Sequence, residues 1–317
     1  MVKIIAELCQ NHQGDKKILE EMVHAASESG AHYAKIQSMK ISNLLKRDRF
    51  EKGLIEGGLI KVIKRPFKKE FLRLKPLDLD DETHYYFLEL CGKYKIKPLT
   101  TIFTRERLKF LKKLNMDTIK IASFDCSSTG LLRDIAKSRF KNVILSTGAT
   151  FNKEIIDAKK ILKNKNLSLL HCISIYPTPL EHANLDRINF LKEINNNVGL
   201  SDHSNPDKNG HVVAAQAFLM GIKTLERHFT ILKKNKTKDG VVSVNPKQLK
   251  KLVHLSKSSK KDIKTYLNSR LKSTSILIGD KRRELSNVEL LNRDYYRGRF
   301  VSFKNNKPIF NWETKKI

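Results

Sequence analysis

The chain has 317 residues, 40% of them hydrophobic, and a formal net charge of +29 from 62 basic and 33 acidic residues. This length suits one large α/β barrel or two modest domains. No apolar run reaches the ~18 residues that a membrane-spanning helix needs, and Lys3 and Glu7 place charge too early for a signal peptide. We therefore expect a cytoplasmic protein with no membrane partner.

The basic residues are spread along the whole chain rather than gathered in one stripe, as residues 159–166 illustrate. Such a distribution is more typical of a solvated surface than of a nucleic-acid interface, and a positive surface also attracts small anionic substrates. The cysteines Cys9, Cys91, Cys126 and Cys172 include no Cys-x-x-Cys pair, which argues against a disulfide framework or a zinc knuckle. We interpret them as small packed residues.

Short apolar runs alternate with amphipathic segments along most of the chain. The predicted strands are residues 3–6, 32–36, 97–102, 118–122, 142–145, 167–172, 197–200 and 223–225. The predicted helices are residues 16–29, 81–94, 106–114, 131–137, 153–163, 185–194, 212–219 and 246–267. Eight such units predict an α/β fold of the (β/α)8 TIM-barrel type. A doubly wound sheet is the alternative, but it usually carries a glycine-rich loop after its first strand, where Gly14 stands alone.

The predicted barrel domain occupies residues 1–268. Residues 40–80 interrupt its second unit as either an ordered insertion over the barrel mouth or a mobile loop, and loops on this face often carry function. Residues 269–317 form a short basic C-terminal extension with apolar patches at 275–278 and 300–303. This extension is too short for a complete second domain.

Polar side chains stand at or near the C-terminal end of every predicted strand, the face on which barrel enzymes build their active sites. They include Glu7, Lys35, Gln37, Thr101, Lys120, Ser123, Asp125, Ser146, Ser174, Tyr176, Ser201, His203 and His228. Lys35 and Lys120 point to function because an unpaired ammonium group within a strand would be costly. His203 and His228 follow neighbouring strands, so both imidazoles could bind one divalent metal ion. The joint pattern predicts an enzyme.

Seven motifs occur in order over about residues 4–250. They are Ile5-Ala6-Glu7 with Asn11-His12, Ala34-Lys35-Ile36-Gln37, Lys120-Ile121-Ala122-Ser123, Leu145-Ser146-Thr147-Gly148, Leu170-His171-Cys172 with Tyr176-Pro177-Thr178-Pro179, Gly199-Leu200-Ser201-Asp202-His203, and Leu225-Glu226-Arg227-His228-Phe229-Thr230. Together they resemble the sialic acid synthase family, which includes the N-acetylneuraminate, legionaminate and pseudaminate synthases.

The resemblance implies a carbon–carbon bond-forming transferase. Members of the family condense phosphoenolpyruvate with an N-acetylated amino sugar, such as one of the N-acetylmannosamine type, to give a nonulosonic acid and phosphate. The implied cofactor is a divalent metal ion, Mn²⁺ or Mg²⁺. The implied architecture is a (β/α)8 barrel followed by an antifreeze-like domain, usually in a swapped homodimer.

The resemblance also implies roles for individual residues. His203 and His228 are the implied metal ligands. The implied phosphoenolpyruvate site consists of Lys35, Thr101, Lys120, Ser123, Ser146 and Ser201. The positions implied to lie near the sugar and the reacting carbons are Glu7, Gln37, Asp125, Tyr176 and Asp239. Glu7 or Asp125 would stabilise positive charge at C2 and activate water, and Lys35 completes the implied catalytic set.

The chain departs from the family pattern at several points. Asp125 stands where many synthases have glutamate, and Ser174 stands where N-acetylneuraminate synthases often have asparagine, so the sugar stays open. The antifreeze-like domain is largely missing, and Arg297 or Arg299 could replace the arginine that it supplies to the sugar's N-acetyl end.

Other interpretations of the sequence stay open beside the synthase. Glu226 and Arg227 could form a structural ion pair at the barrel rim. Another phosphoenolpyruvate-dependent aldol synthase, acting on a phosphorylated aldose, is the main functional alternative. A non-catalytic barrel that binds sugar or nucleic acid is the other.

Overall fold

A closed barrel of eight parallel strands forms the centre of the computed structural model, which describes residues 1–315. Numbered 1 to 8 in chain order, the barrel strands are Lys3–Glu7, Tyr33–Ser38, Lys97–Ile102, Thr118–Ile121, Asn142–Ser146, Asn166–His171, Val198–Asp202 and Thr224–His228. Strand 8 closes the barrel on strand 1, with Lys3 paired to Thr224 and Glu7 paired to His228. This closure confirms the predicted (β/α)8 barrel and excludes the doubly wound sheet.

A helix follows each barrel strand before the next strand begins. In order, these helices are Lys16–Glu28, Asp81–Lys93, Arg107–Leu111, Thr129–Ala136, Asn152–Ile161, Arg187–Ile194, Val212–Leu219 and Pro246–Leu255. The first helix shows why they form. Asp15 accepts hydrogen bonds from the first free N–H groups, and Leu19, Met22, Val23 and Ala26 lie on one buried face at helical spacing.

The predicted helix at 246–267 is wrong in one respect, because two helices occupy this region. The first is Pro246–Leu255 and the second is Lys260–Asn268. The side chain of Ser259 accepts a hydrogen bond from the backbone N–H of Asp262 and so begins a new helix. Serine favours such capping positions over helix interiors because its hydroxyl competes for backbone groups.

The insertion between strand 2 and its helix is ordered rather than a loop. It contains a short helix Arg49–Lys52, a hairpin of Leu54–Glu56 and Leu59–Val62, and a helix Phe67–Leu74, with 3₁₀ turns at Ile41–Asn43 and Lys75–Leu77. It packs against the C-terminal extension in two apolar clusters, one around Phe300 and the other around Tyr295. The insertion and the extension therefore support each other.

The C-terminal extension carries a helix that we did not predict, Asn287–Tyr296, between a 3₁₀ turn at Thr274–Leu277 and a hairpin of Ser302–Lys304 and Lys307–Ile309. A sequence signal for it existed, since Ser286 and Glu289 form a capping box. Of the predicted extension, residues 316–317 lie outside the described residues. None of the helices described over 1–315 has the length and apolar composition that a bilayer crossing requires.

The interior of the barrel consists of an apolar layer beneath a polar layer. Ile5, Tyr33, Leu99, Ile144 and Leu170 form a separate buried cluster across strands 1, 2, 3, 5 and 6. Side chains two positions further along a strand point the same way, one step closer to the C-terminal mouth. The residues in these positions are Glu7, Lys35, Thr101, Ser146 and Cys172. Because side chains alternate along each strand, these five residues form a polar layer, the floor of the barrel mouth.

Candidate active site

A cavity of about 420 Å³ opens at the C-terminal mouth of the barrel. The structure brings all but two of the predicted site residues to its wall. Those that line it are Glu7, Lys35, Gln37, Thr101, Lys120, Ser123, Ser146, Tyr176, Ser201, His203, His228 and Asp239. Strand register explains much of this convergence, since Glu7 pairs with Lys35, Thr101 with Lys120, and Ser201 with Glu226.

Asp125 is one of the two predicted residues that do not line the cavity. Its buried carboxylate accepts hydrogen bonds from the Ser128 hydroxyl at 2.7 Å and from the Asn311 amide at 2.9 Å. Burial raises the pKa of Asp125, and these two hydrogen bonds act in the opposite direction. The structure thus does not support the predicted site contact at Asp125, because the C-terminal extension, through Asn311, engages this carboxylate.

Ser174 is the second predicted residue that the structure places away from the cavity wall. Its side chain is fully buried, and its hydroxyl has no hydrogen-bond partner within the described part of the chain. Its backbone carbonyl accepts a hydrogen bond from the side chain of Asn292, at 2.8 Å. Asn292 itself lines the cavity. Position 174 therefore supports the wall through its backbone.

Lys35 lies between two carboxylates on the cavity floor. Its ammonium group forms ion pairs with Glu7 and, at 2.6 Å, with Glu226, and all three side chains are buried. Burial opposes the charged form, but Glu226 and Glu7 raise the pKa of Lys35 above its ordinary value. Burial also opposes ionisation of Glu226, yet Lys120 and Lys35 hold the pKa of Glu226 well below its ordinary range. Lys35 and Glu226 are therefore both charged, and Glu7 lies in contact with the same ammonium group.

The alternative interpretation of Glu226 and Arg227 as an ion pair with each other is wrong. Adjacent residues of a strand point to opposite faces. Glu226 accordingly faces the cavity, where it pairs with Lys35 and accepts a hydrogen bond from the Ser201 hydroxyl at 2.8 Å. Arg227 is buried with Asp202 as its partner, at 2.6 Å.

Lys120 is the second cation of the floor, and it has no carboxylate within ion-pair distance among residues 1–315. Its ammonium group donates to the Ser146 hydroxyl at 2.6 Å and to the Ile121 carbonyl at 2.9 Å. Burial lowers the pKa of Lys120 to about 8. A buried cation flanked by hydroxyl groups, with Ser123 also on this wall, suits an anionic ligand.

The two predicted metal-ligating histidines lie side by side. His203 directly follows strand 7, whereas His228 is the last residue of strand 8 rather than a residue after it. Their ring centroids are 5.4 Å apart. His203 Nδ1 lies 2.9 Å from the Ile173 carbonyl, and burial lowers the pKa of His203 to about 4. A neutral His203 must donate from Nδ1, which makes Nε2 an acceptor, and this nitrogen lies 3.3 Å from the Ser201 hydroxyl.

His228 has an unsatisfied nitrogen in this buried setting. Its Nδ1 has no hydrogen-bond partner within residues 1–315. A nitrogen that is buried without a partner costs free energy unless a ligand or an ion satisfies it. The pair of imidazoles therefore fits a divalent transition-metal ion, which favours nitrogen ligands of this kind.

Several residues on the cavity wall were missed by sequence reasoning. They are Cys9, Gln10, Arg65, Phe103, Ala122, Phe124, Cys172, Ile175, Glu226, Lys238, Val288, Asn292 and Tyr296. The insertion supplies Arg65, and the extension supplies Tyr296 and Arg299. Arg65 donates a hydrogen bond of 3.3 Å to the Tyr296 hydroxyl. Only the folded chain brings these distant segments together.

Of the two arginines expected near the sugar's N-acetyl end, only Arg299 lines the cavity. Arg299 forms an ion pair of 3.0 Å with Glu70 of the insertion. Arg297 instead places its guanidinium 4.6 Å from the centroid of the Trp312 ring. The two residues are close in sequence, yet only Arg299 is available to a ligand in the cavity.

Comparison with known proteins agrees with the fold and the motifs. The NeuB family profile matches residues 22–266. The N,N'-diacetyllegionaminic acid synthase of Legionella pneumophila is 32% identical over 281 residues, which cover 86% of this chain and 75% of that protein. The pseudaminic acid synthase of Campylobacter jejuni is 31% identical over 305 residues, which cover 95% and 82%.

Among solved structures, the N-acetylneuraminic acid synthetase of Leptospira borgpetersenii in complex with citrate resembles this chain with a TM-score of 0.69 at 29% identity. The alignment covers 93% of this chain and 90% of that one. The resemblance indicated by the seven motifs is confirmed, and the chain belongs to the NeuB family.

Proposed function

We propose that the protein condenses phosphoenolpyruvate with an N-acetylated amino sugar of the N-acetylmannosamine type and forms a nonulosonic acid and phosphate. The observation that carries this proposal is one cavity lined both by two adjacent imidazoles and by a buried Lys120 that has no ion-pair partner among residues 1–315. The related synthases of legionaminic and pseudaminic acid support the product class.

The floor of the cavity is the proposed site for phosphoenolpyruvate. Lys35 is already neutralised by Glu7 and Glu226, so Lys120 is the floor cation that can pair with an incoming anion. Hydroxyl groups around it can donate to phosphate or carboxylate oxygens. Those on the cavity wall are Thr101, Ser123, Ser146 and Ser201.

The proposed reaction forms one carbon–carbon bond and consumes one water molecule. C3 of phosphoenolpyruvate attacks the sugar aldehyde, whose oxygen takes a proton and becomes a hydroxyl group. Water then adds to the electron-poor C2 and loses a proton, and the C2–O bond to phosphate breaks to leave a keto group. Glu7 is the carboxylate placed to stabilise positive charge at C2 and to accept the water proton, since Asp125 is turned away.

A divalent ion such as Mn²⁺ or Mg²⁺ is part of the proposed function, with His203 and His228 among the residues that would hold it. The unprotonated Nε2 of His203 and the Nδ1 of His228, which has no hydrogen-bond partner within residues 1–315, support this assignment. When bound, the ion would act as a Lewis acid that polarises the sugar aldehyde.

The mouth is the proposed site for the acceptor sugar. Gln37, Tyr176 and Asp239 lie on the wall there together with Tyr296 and Arg299 of the extension. The extension therefore supplies a cationic group of the kind that the antifreeze-like domain provides in the family. A homodimeric assembly and a cytoplasmic location complete the proposal on the basis of the family resemblance.

A phosphorylated acceptor is a second candidate, and two cations of the mouth favour it. Arg65 and Lys238 line the cavity, and neither has an ion-pair partner in the described part of the chain. Unpaired guanidinium and ammonium groups can bind a phosphate that a neutral N-acetylhexosamine lacks.

A phosphate-release screen tests the proposal. Purified protein would be incubated with phosphoenolpyruvate, Mn²⁺ and either N-acetylmannosamine, related N-acetylated amino sugars, arabinose 5-phosphate or erythrose 4-phosphate. We expect release only with an amino sugar, and loss of release on chelation. A preference for a phosphorylated aldose would favour the second candidate. Absence of release with every aldose would contradict both.

A further inference from the structure

Cys9 belongs to a compact group of metal-binding side chains at the cavity. One ligand atom each from Cys9, His228 and Asp239 all lie within 4.8 Å of one another. Cys9 comes from the loop after strand 1, His228 ends strand 8, and Asp239 lies in the loop that follows strand 8. Two segments distant in sequence, the loop after strand 1 and residues 228–239, thus converge on one point of the wall.

We propose that Cys9 is a ligand of the divalent ion, so that sulfur, nitrogen and oxygen ligands from Cys9, His228 and Asp239 bind it together with His203. This inference rests on the proposed function for the presence of an ion. It adds a thiolate and a carboxylate to the two histidines expected from the sequence, and His203 is not among the three residues whose ligand atoms lie within 4.8 Å of one another. Such a donor set is typical of transition metals rather than Mg²⁺.

The position of His203 agrees with a shared ion. Its ring centroid is 5.4 Å from that of His228. Two imidazoles that bind one ion through nitrogens at about 2.1 Å, at a tetrahedral angle, have centroids roughly 5 Å apart. His203 keeps Nε2 as an acceptor, because Nδ1 is engaged by the Ile173 carbonyl, and an ion would have to replace the 3.3 Å contact of Nε2 with the Ser201 hydroxyl.

The contacts of the Cys9 sulfur resemble those of a metal ligand with a supporting partner. Cys9 Sγ lies 3.1 Å from Asp239 Oδ2, and Gln37 Nε2 donates to the same sulfur at 3.1 Å. On metal binding the thiol would lose its proton to solvent. The Asp239 oxygen that accepts the hydrogen bond of the thiol would then turn to the ion. The Gln37 amide would then stabilise the sulfur charge, as outer partners of metal ligands commonly do.

The buried Nδ1 of His228 is an independent sign that something is bound at this place. It has no hydrogen-bond partner among the described residues, although the side chain is only 8% exposed. The backbone of Cys9 is also held in an uncommon conformation. Cys9 has a φ of +47°, where residues other than glycine are uncommon, and its N–H is fixed by Glu7 Oε1 at 2.7 Å.

Cobalt spectroscopy tests the proposal without any turnover. Metal-free protein would be titrated with Co²⁺, which gives an intense near-ultraviolet charge-transfer band only when a thiolate is a ligand. We expect this band in the unaltered protein and its loss in Cys9→Ala and Cys9→Ser. The band should persist in Cys172→Ala, the other cysteine on the cavity wall, and in Cys91→Ala, which is buried far from it in sequence.

Metal affinity is the second measurement. By equilibrium dialysis with metal analysis, Cys9→Ser should lose about tenfold or more in affinity for Zn²⁺ and change little in its affinity for Mg²⁺. Circular dichroism verifies that each variant is folded, and the two replacements at position 9 provide two chances of a folded protein. Unaltered protein that gives no charge-transfer band, or a band that survives in a folded position-9 variant, would overturn the inference.

These outcomes are separable from failure of the proposed function. A band that depends on Cys9, in a protein that releases no phosphate with any aldose, would leave the metal site standing and contradict the synthase. Phosphate release from unaltered protein without a thiolate band would do the reverse.

Discussion

The floor and the mouth of the cavity are built in different ways. The floor consists of strand residues such as Glu7, Lys35 and Glu226, which are buried and paired with one another. The mouth consists of side chains from the insertion and the C-terminal extension, including Arg65 and Arg299. The floor is a balanced charge network fixed by strand register, whereas the mouth depends on packing between distant segments. We therefore expect changes in the floor to affect both folding and chemistry, and changes in the mouth to affect mainly the acceptor.

Lys35→Met should have the largest effect. It leaves Glu7 and Glu226 buried without their shared cation, and breaking a buried ion pair from one side costs about 3 to 5 kcal/mol. We expect the free energy of unfolding to fall by this amount in urea titrations and phosphate release to be abolished. Lys97→Met, at the exposed start of strand 3, is the matched control and should be near neutral. A stable, active Lys35→Met would disprove the view of the floor as a charge network.

Lys120→Met tests how far the floor contributes to phosphoenolpyruvate binding and how far to stability. Removal of the lysine relieves the cost of burying an ammonium group but also takes away one of the two cations that keep Glu226 ionised, so stability at pH 7 should fall less than in Lys35→Met. The KM for phosphoenolpyruvate should rise roughly 10- to 100-fold, because a charge-assisted contact is lost. Steady-state kinetics and urea titration give the two values. An unchanged KM would show that Lys120 does not bind the anion.

The pH dependence of the KM for phosphoenolpyruvate should reflect the ionisation of Lys120. Burial lowers the pKa of Lys120 from 10.5 to about 8, so the ammonium form is present below pH 8 and is lost above it. The KM for phosphoenolpyruvate should therefore be flat below pH 8 and rise toward about tenfold per pH unit above it. This rise should be absent in Lys120→Met. The unfolded chain binds more protons between about pH 8 and 10.5, so stability from this group should increase with pH there.

Arg299→Ala should have the smallest effect on activity and should act through the mouth, because Glu70 keeps Arg73 as an ion-pair partner when Arg299 is removed. We expect the KM for the acceptor sugar to increase about fivefold, with little change for phosphoenolpyruvate, because one charged contact is lost at one end of the cavity. Arg297→Ala is the matched control, since Arg297 contacts Trp312 and not the cavity. Equal effects of the two variants on the acceptor KM would argue against an acceptor site in the mouth.

The difference between the floor and the mouth also explains how much of the fold and of the site could be predicted from the sequence. Period-two alternation and the C-terminal ends of strands are visible in a sequence, so the barrel and the floor residues Glu7, Lys35 and Lys120 could be identified. The rest depends on where distant segments pack. Asp125 was expected to contact substrate, but its partner is Asn311 of the extension, and no local pattern reveals that pairing.

Cys9 illustrates a second limit. A single cysteine without a spaced partner is most often a packed side chain, and its closeness to Asp239 spans 230 positions of sequence. Only the register of strand 1 with strand 8, which sets Glu7 beside His228, brings the two loops together.

The apolar layer beneath the floor closes the barrel on its far side. Ile5, Tyr33, Leu99, Ile144 and Leu170 leave the mouth as the route by which molecules enter and leave. If phosphoenolpyruvate occupies the floor, an acceptor bound above it blocks its exit. The position of each ligand in the cavity then determines the order in which substrates bind and products leave. We expect phosphoenolpyruvate to bind first and phosphate to be released last, and phosphate should then inhibit competitively against phosphoenolpyruvate in initial-rate measurements. A noncompetitive pattern would point to a second entrance.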